Sequence, residues 1–450
     1  MTVPLLVACV AVPAFVARYR ERSWLAPGIF FSVFWTSLLA LSLLIAPDYT
    51  LVPIGVAWIA LSVLVLGVGA VVGTSRRGSL SGALRTELGP TRDPEQERER
   101  CARLVKWAVV FAGLGLLEPV ILARNVGTSL PALFSVSRLA QVAHFYTNSR
   151  YASTDFREPG TAIFASSFIF VSAIVGGILV ALRPSRRSVI AGLACFVPAI
   201  ASTLILTTRA VFVLTISFWL AAYLAMALSA SRGRFSLLSV RTLGKVAVVG
   251  LAVVAIMVTG FIVRGGIQGI TPAASQSDTT SGLLGSPSAF TLWFDQQSGT
   301  ILTSAKPGTR TLAGPLGLIL PVKRAEFPPL TVGSSAAHKD VTTIRTLFGD
   351  LINDYSAVGS LVVLLLLGYF SGIAFARARR GGTSAALGLA MFYTIVLTSA
   401  GGVPFSYTTV AFAWAIAIYV VRRTLGPRTP IRLVADPVTG RSEMSPLSVR

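Results

Sequence analysis

Runs of about 20 predominantly apolar residues recur along almost the whole chain, and no other feature restricts the fold as strongly. About 20 helical residues match the roughly 30 Å hydrocarbon core of a bilayer. Backbone polar groups inside that core must be satisfied within the spanning structure, so each run reads as a transmembrane helix. Eleven runs are found: residues 2–17, 24–46, 51–73, 105–123, 161–182, 188–206, 210–229, 246–263, 356–375, 385–401 and 406–421. Only 13% of the residues are charged, against about 25% in soluble domains. The expected fold class is an all-α polytopic membrane protein. The first run lacks a basic segment before it and a small-residue cleavage site, so it reads as a retained helix rather than a signal peptide.

A net charge of +21 on a soluble chain would direct attention to nucleic acid. Its placement here does not. Every second connection carries most of the Lys and Arg: residues 18–22, 74–104, 183–187, 231–245, 377–380 and the tail from Arg422. The remaining connections are close to neutral. By the positive-inside rule the basic set is cytoplasmic, which puts the N-terminus outside and the C-terminus inside a cell membrane. The charge then records topology and contact with anionic headgroups. The bilayer is a partner in this reading and nucleic acid is not.

The chain divides into N-terminal helices over 1–123 with a cytoplasmic loop at 74–104, an external loop 124–160, central helices over 161–263, a large external loop 264–345 rich in Gly, Ser, Thr and Pro, C-terminal helices over 346–421 and a basic tail 422–450. An apolar piece near 312–322 holds Pro315 and Pro321 and is too short to span, so it packs under the loop or dips into the outer interface. The charged stretch 85–100 reads as a linker or a short surface helix. Gly69 with Gly73, and Gly368 with Gly372, place small residues four apart inside spans, a pattern that lets helices approach closely. Cys9, Cys101 and Cys195 form no disulfide framework, and His144 and His338 lie far apart. No metal and no cofactor is expected.

External ionisable groups are few enough to weigh singly. Arg209 stands between two apolar runs with almost no loop around it; it either snorkels to headgroups or faces an anion within the bundle. Arg264 ends the eighth run and poses the same choice. Arg150 and Arg157 have Asp155 and Glu158 nearby as salt-bridge partners. Arg345 precedes Asp350, Asp354 and Tyr355 at the mouth of the ninth span. If that helix starts early, Asp350 and Asp354 share one face; alternatively Asp354 caps the helix N-terminus. Glu118 lies near the outer end of the fourth span, either as a functional intramembrane carboxylate or paired with Arg124. Trp293 and Phe294 suit either sugar stacking or interfacial anchoring.

Four stretches carry a likeness. "TTRAVFVLTISFW" (207–219) is a small-polar-arginine turn leading into a span, and Arg264 opens a long external loop. Within that loop "SPSAFTLWF" (286–294) is followed by "GTRTLAGPLGLI" (308–319). "LFGDLINDYSAVGSLVVLLLLGYFSG" (347–372) runs from acidic residues and Tyr355 into a glycine-containing span. In this order they resemble the O-antigen polymerases, the Wzy-type oligosaccharide repeat unit polymerases, over about half of the chain. The aromatic-Gly pair usual before the ninth span is replaced by Tyr355-Ser-Ala-Val-Gly359.

The resemblance implies a GT-C-like helical bundle with a large external loop. It implies a metal-independent glycosyltransferase that joins polyprenyl-pyrophosphate-linked oligosaccharide repeat units on the outer face, working beside a flippase and a chain-length regulator. A guanidinium fork bonds two phosphate oxygens at once. Arg209 and Arg264, with Arg150, Arg157, Arg345 and Tyr355, would then bind the pyrophosphate and glycan. Asp354, Asp350 or Glu118 would take the acceptor's proton. Three rivals share some of these features: a transporter or flippase for lipid-linked glycans, an O-antigen ligase-like transferase and a structural membrane subunit of an assembly complex.

Overall fold

The computed structural model describes residues 2–21, 23–46, 48–75, 94–129, 135, 138, 141–142, 145, 159–182, 185–206, 210–231, 284–297, 299, 306–317, 319, 327–328, 330–332, 340–342 and 345–426. Fourteen α-helices are described: α1 Thr2–Glu21, α2 Pro27–Ile45, α3 Pro53–Ser75, α4 Pro94–Gly115, α5 Leu117–Asn125, α6 Gly160–Leu182, α7 Arg186–Leu193, α8 Phe196–Leu206, α9 Ala210–Ala230, α10 Gly285–Gln296, α11 Ala313–Gly317, α12 Thr346–Ala378, α13 Thr383–Thr398 and α14 Thr408–Leu425. The protein is a mostly helical, multi-pass membrane protein. Among the described residues eight helices or helix pairs are long and apolar enough to cross a bilayer. They coincide with eight of the eleven expected runs. Of the other three, Val3–Phe15 within α1 and all of α13 are shorter apolar stretches, and 246–263 lies outside the described residues.

Some details differ from the sequence reading. The acidic stretch from Pro94 is not a separate linker. It forms the first turns of α4, where Glu95 and Glu97 sit in the first turn against the positive end of the helix dipole. The fold is also not purely helical: Leu330–Val332 (β1) and Asp340–Thr342 (β2) form a two-stranded antiparallel ribbon.

Two groups of helices make up the bundle. In one, α12 packs along α3, and α1 and α2 pack on α3. In the other, α6 is central, contacted by α4, α5, α7, α9 and α14. Helix α6 is apolar all round and contains no proline or charge, the pattern of a helix with no solvent face. Helix α13 joins the groups by packing on both α9 and α12.

Close approach of α3 and α12 comes from the spaced glycines. A Cβ on Gly69 or Gly73 would overlap the backbone of Leu365 or Tyr369, and a Cβ on Gly368 or Gly372 would overlap that of Leu66 or Ala70. The two glycine pairs therefore face each other, backbone on backbone. Lipid tails are as apolar as leucine, so association in a membrane depends on such van der Waals contact rather than on hydrophobic burial.

Helix α13 has 16 residues, about 24 Å at 1.5 Å per residue, less than the hydrocarbon thickness. Its C-terminal end is covered by polar chain. Ser399 O accepts from Leu347 N at 2.7 Å, and a short turn, Pro404–Ser406, precedes α14. The site described next lies at this end of α13.

Candidate functional site above α13

Helix α12 begins at Thr346, ten residues ahead of the expected span, and Ser356 interrupts it at φ 64°, ψ 174°. Its first piece, 346–355, is held apart from the membrane-spanning piece that follows. Thr346 (φ 62°) and Ser356 are the two described non-glycine residues with left-handed φ. That conformation costs about 1–3 kcal/mol per residue and persists where the surroundings over-determine it. Both strained residues bound the piece that carries the acidic pair. The early start places Asp350 and Asp354 on one face, one helical turn apart.

Asp354 does not cap its own helix. Its carboxylate receives the backbone N–H of Arg310 (3.2 and 3.1 Å to the two oxygens) and of Thr311 (2.7 Å). It also receives the hydroxyls of Thr309 (3.0 Å) and Thr311 (2.7 Å). A carboxylate has about four lone-pair positions, and these donors fill them. Asp350 binds the Arg310 guanidinium at 3.1 Å through Oδ1 and receives the Val403 N–H at 2.9 Å through Oδ2. Asp350, Asp354 and Arg310 are each almost wholly buried. Tyr355 shares a 3.0 Å hydrogen bond with the Thr311 hydroxyl. Asn353 O accepts from Lys306 N at 3.0 Å. Segment 306–317 is thereby bound along one face of α12. Gly314, in α11, lies so close to Phe405 O and Tyr407 O that a Cβ would overlap them.

Phe327 organises the two buried arginines. The Arg310 guanidinium carbon lies 3.4 Å from the ring centroid and that of Arg345 lies 5.6 Å away. Each cation meets the negative face of the π-system. Arg345 donates to Thr342 O (3.0 Å) and Pro328 O (2.8 Å), which ties it to β2 and to the chain before β1. Burial, and then the charge of Arg310, lower its pKa from 12.5 to about 10. Beneath these groups Phe348 packs on Trp35 (4.7 Å between centroids) and Phe290 (5.6 Å). Trp35 stands near the middle of α2, so Phe348 anchors the first piece of α12 in the aromatic core of the bundle. In α10, Phe294 stacks on Trp58 and Trp293 meets Phe327. Those two aromatics are engaged in packing.

Glu118 is at another corner. It lies in the first turn of α5 and is 2% exposed. Ser202 of α8 donates to its Oε2 at 2.6 Å. One turn on, Leu122 joins Val142, Ala162 and Ile205 in a small apolar cluster, with Val211 packed against it. Ile205 lies in the last turn of α8 and Val211 in the first turn of α9, so this corner joins α5 to the end of α8 and the start of α9. The structure brings Arg345, Asp350, Asp354 and Tyr355 together and leaves Glu118 apart from them. Arg150, Arg157, Arg209 and Arg264 lie outside the described residues. Among the described residues, no group of three or more His, Cys, Asp or Glu stands ready for a metal ion.

Sequence reasoning passed over Arg310 as a site residue, although it is the only charged residue within "GTRTLAGPLGLI". An arginine in an otherwise uncharged loop piece, followed across the chain by two carboxylates four apart, is the signal that would have found it. Phe327, in "EFPP", carries no comparable signal.

The fold and this polar core define a multi-pass helical membrane protein in which segment 306–317 is braced against the first piece of α12. No family model, no curated protein and no solved structure matches the chain.

Proposed function

We propose that the protein is a membrane glycosyltransferase that polymerises polyprenyl-pyrophosphate-linked oligosaccharide repeat units on the outer face of the cell membrane. One observation carries the reading: three separate stretches of the sequence resemblance pack on one another. Phe290 of "SPSAFTLWF" meets Phe348, and Arg310 and Thr311 of "GTRTLAGPLGLI" bind Asp350, Asp354 and Tyr355. Segments that look alike only by order and spacing are thus joined as a physical unit.

The geometry redistributes the proposed roles. Asp354 is filled by its donors and Asp350 is committed to Arg310 and Val403, so this pair braces the outer segment. Glu118 is the acid–base group, buried where α5 meets α8, the helix that Arg209 follows in sequence. A nucleotide-free outer face calls for a donor that arrives already activated, and a lipid pyrophosphate is one. The acceptor hydroxyl oxygen attacks the anomeric carbon of the donor chain, and its proton passes to Glu118. The carbon–oxygen bond to the pyrophosphate breaks, and the departing charge is held by Arg209 and Arg264, with Arg150 and Arg157 beside them. Purified protein given a synthetic lipid-linked repeat unit is expected to yield a ladder of longer lipid-linked chains, lost in Arg209→Ala and Arg264→Ala. Full polymerisation by both variants would overturn the assignment. Movement of the repeat unit across the bilayer without elongation would mark a transporter instead.

A further inference from the structure

The opposite ends of α12 and α14 hold a different kind of site. A cavity of about 670 Å³ opens where the C-terminal ends of α12 and α14 meet the N-terminus of α13. Arg377, Arg380 and Arg422 line it, with Thr383 and Ser384 at the start of α13. Arg377 and Arg422 are exposed, and among the described residues neither guanidinium is held in an ion pair. An arginine at a helix C-terminus is stabilised there by the dipole alone. That explains one such residue but not three from two helices and a turn converging on one hollow.

Two further observations specify the occupant. The N-cap of α13, Gly382, provides no side-chain cap, so the first backbone N–H groups of a 16-residue helix are left without one beside the arginines. Such a helix end favours an anion. The other wall of the cavity is apolar: Phe370, Ile373 and Ala374 of α12 face Ala385 and Gly388 of α13. Phe370 is 62% exposed, so this wall opens sideways from the bundle. A soluble phosphate would use the arginines and leave the apolar groove empty. A lipid uses both, with its headgroup at the cationic rim and its chain along the groove.

We propose that this cavity binds the headgroup phosphate of an anionic membrane lipid, with an acyl or prenyl chain lying between α12 and α13. The site is separate from the outer corner assigned to glycan transfer and does not depend on that assignment.

The test uses full-length protein in neutral detergent, with phosphatidylglycerol, phosphatidylcholine and inorganic phosphate as probes. Binding is read by native mass spectrometry and by titration. Phosphatidylglycerol is expected to bind more tightly than phosphatidylcholine, and inorganic phosphate to bind weakly. A basic residue near an anionic surface is worth about fivefold in binding. Arg377→Gln with Arg422→Gln should therefore weaken phosphatidylglycerol binding by about 25-fold. Arg423→Gln is the charge-matched control, because its guanidinium bonds the Tyr419 hydroxyl at 2.6 Å outside the cavity; it should leave binding unchanged. Gly388→Phe blocks the groove without altering charge, since a Cβ there meets only Ala374 at 3.9 Å, and it too should weaken binding. Equal weakening by Arg423→Gln would overturn the proposal, as would unchanged binding by the double variant or by Gly388→Phe. Inorganic phosphate or phosphatidylcholine binding as tightly as phosphatidylglycerol would also overturn it.

Discussion

The two ends of α12 treat charge in opposite ways. At its N-terminal end Arg310, Arg345, Asp350 and Asp354 are buried and bound to protein partners. At its C-terminal end Arg377, Arg380 and Arg422 are exposed around an open cavity. Desolvating a charge costs several kcal/mol, which a partner must offset. The first set is therefore structural, and removing one member leaves another stranded. In the second set Arg377 and Arg422 stay exposed to water, so losing either strands no buried partner. Charge near a span mouth is thus not one signal but two, and burial separates them.

The difference can be broken most forcefully at the buried end. Arg310→Ala or Asp350→Ala strands a buried partner and should cost about 3–5 kcal/mol, seen as a lower Tm and earlier proteolysis of segment 306–317. Arg310→Met with Asp350→Leu removes both charges and should cost less than either single change, a coupling that a double-mutant cycle measures. Equal, additive losses would remove the ion pair from the account.

The α3–α12 glycines set the next scale. Gly368→Val pushes a side chain into the Leu66 backbone, and overpacking costs about 1–3 kcal/mol. Gly388→Val, in open space on α13, should change Tm little, so the pair of variants compares contact with helix propensity. At the exposed end, Arg377→Gln and Arg422→Gln should each stay within about 0.5 kcal/mol of wild type in thermal unfolding. A large loss there would erase the distinction between the ends.

The smallest effect depends on pH. Arg345 has its pKa lowered to about 10 in the folded chain. A base lowered on folding costs stability while it is protonated. That cost is fully in place below about pH 10 and fades as pH rises towards the unfolded value, because the unfolded chain then binds the extra proton. The Tm of wild type minus that of Arg345→Gln should therefore become more favourable to wild type as pH rises from about 10 to about 12. A flat difference would mean that Arg345 is not depressed.

Much of the scaffold was legible. The apolar runs located the spans because bilayer thickness fixes their length. The glycine spacing at 69, 73, 368 and 372 announced a close helix pair because only small residues permit it. The acidic spacing at 350 and 354 gave one helix face once the helix began early. The brace itself was not legible. Arg310 and Asp350 are 40 residues apart, and nothing local shows that segment 306–317 folds back onto α12. The break at Ser356 was also hidden, since serine carries no requirement for left-handed φ. Asp354 read equally well as a cap or a base until its donors from residues 309–311 were seen.

The central claim is that Glu118, and not the occupied Asp354, handles the proton in glycan transfer. It is tested most directly by chain-length analysis of lipid-linked products from Glu118→Gln and Asp354→Asn, each confirmed folded by its melting transition. The account predicts a ladder from wild type, none from Glu118→Gln, and a ladder of reduced yield from Asp354→Asn. An unchanged ladder from Glu118→Gln, or no elongation by folded wild type, would contradict it.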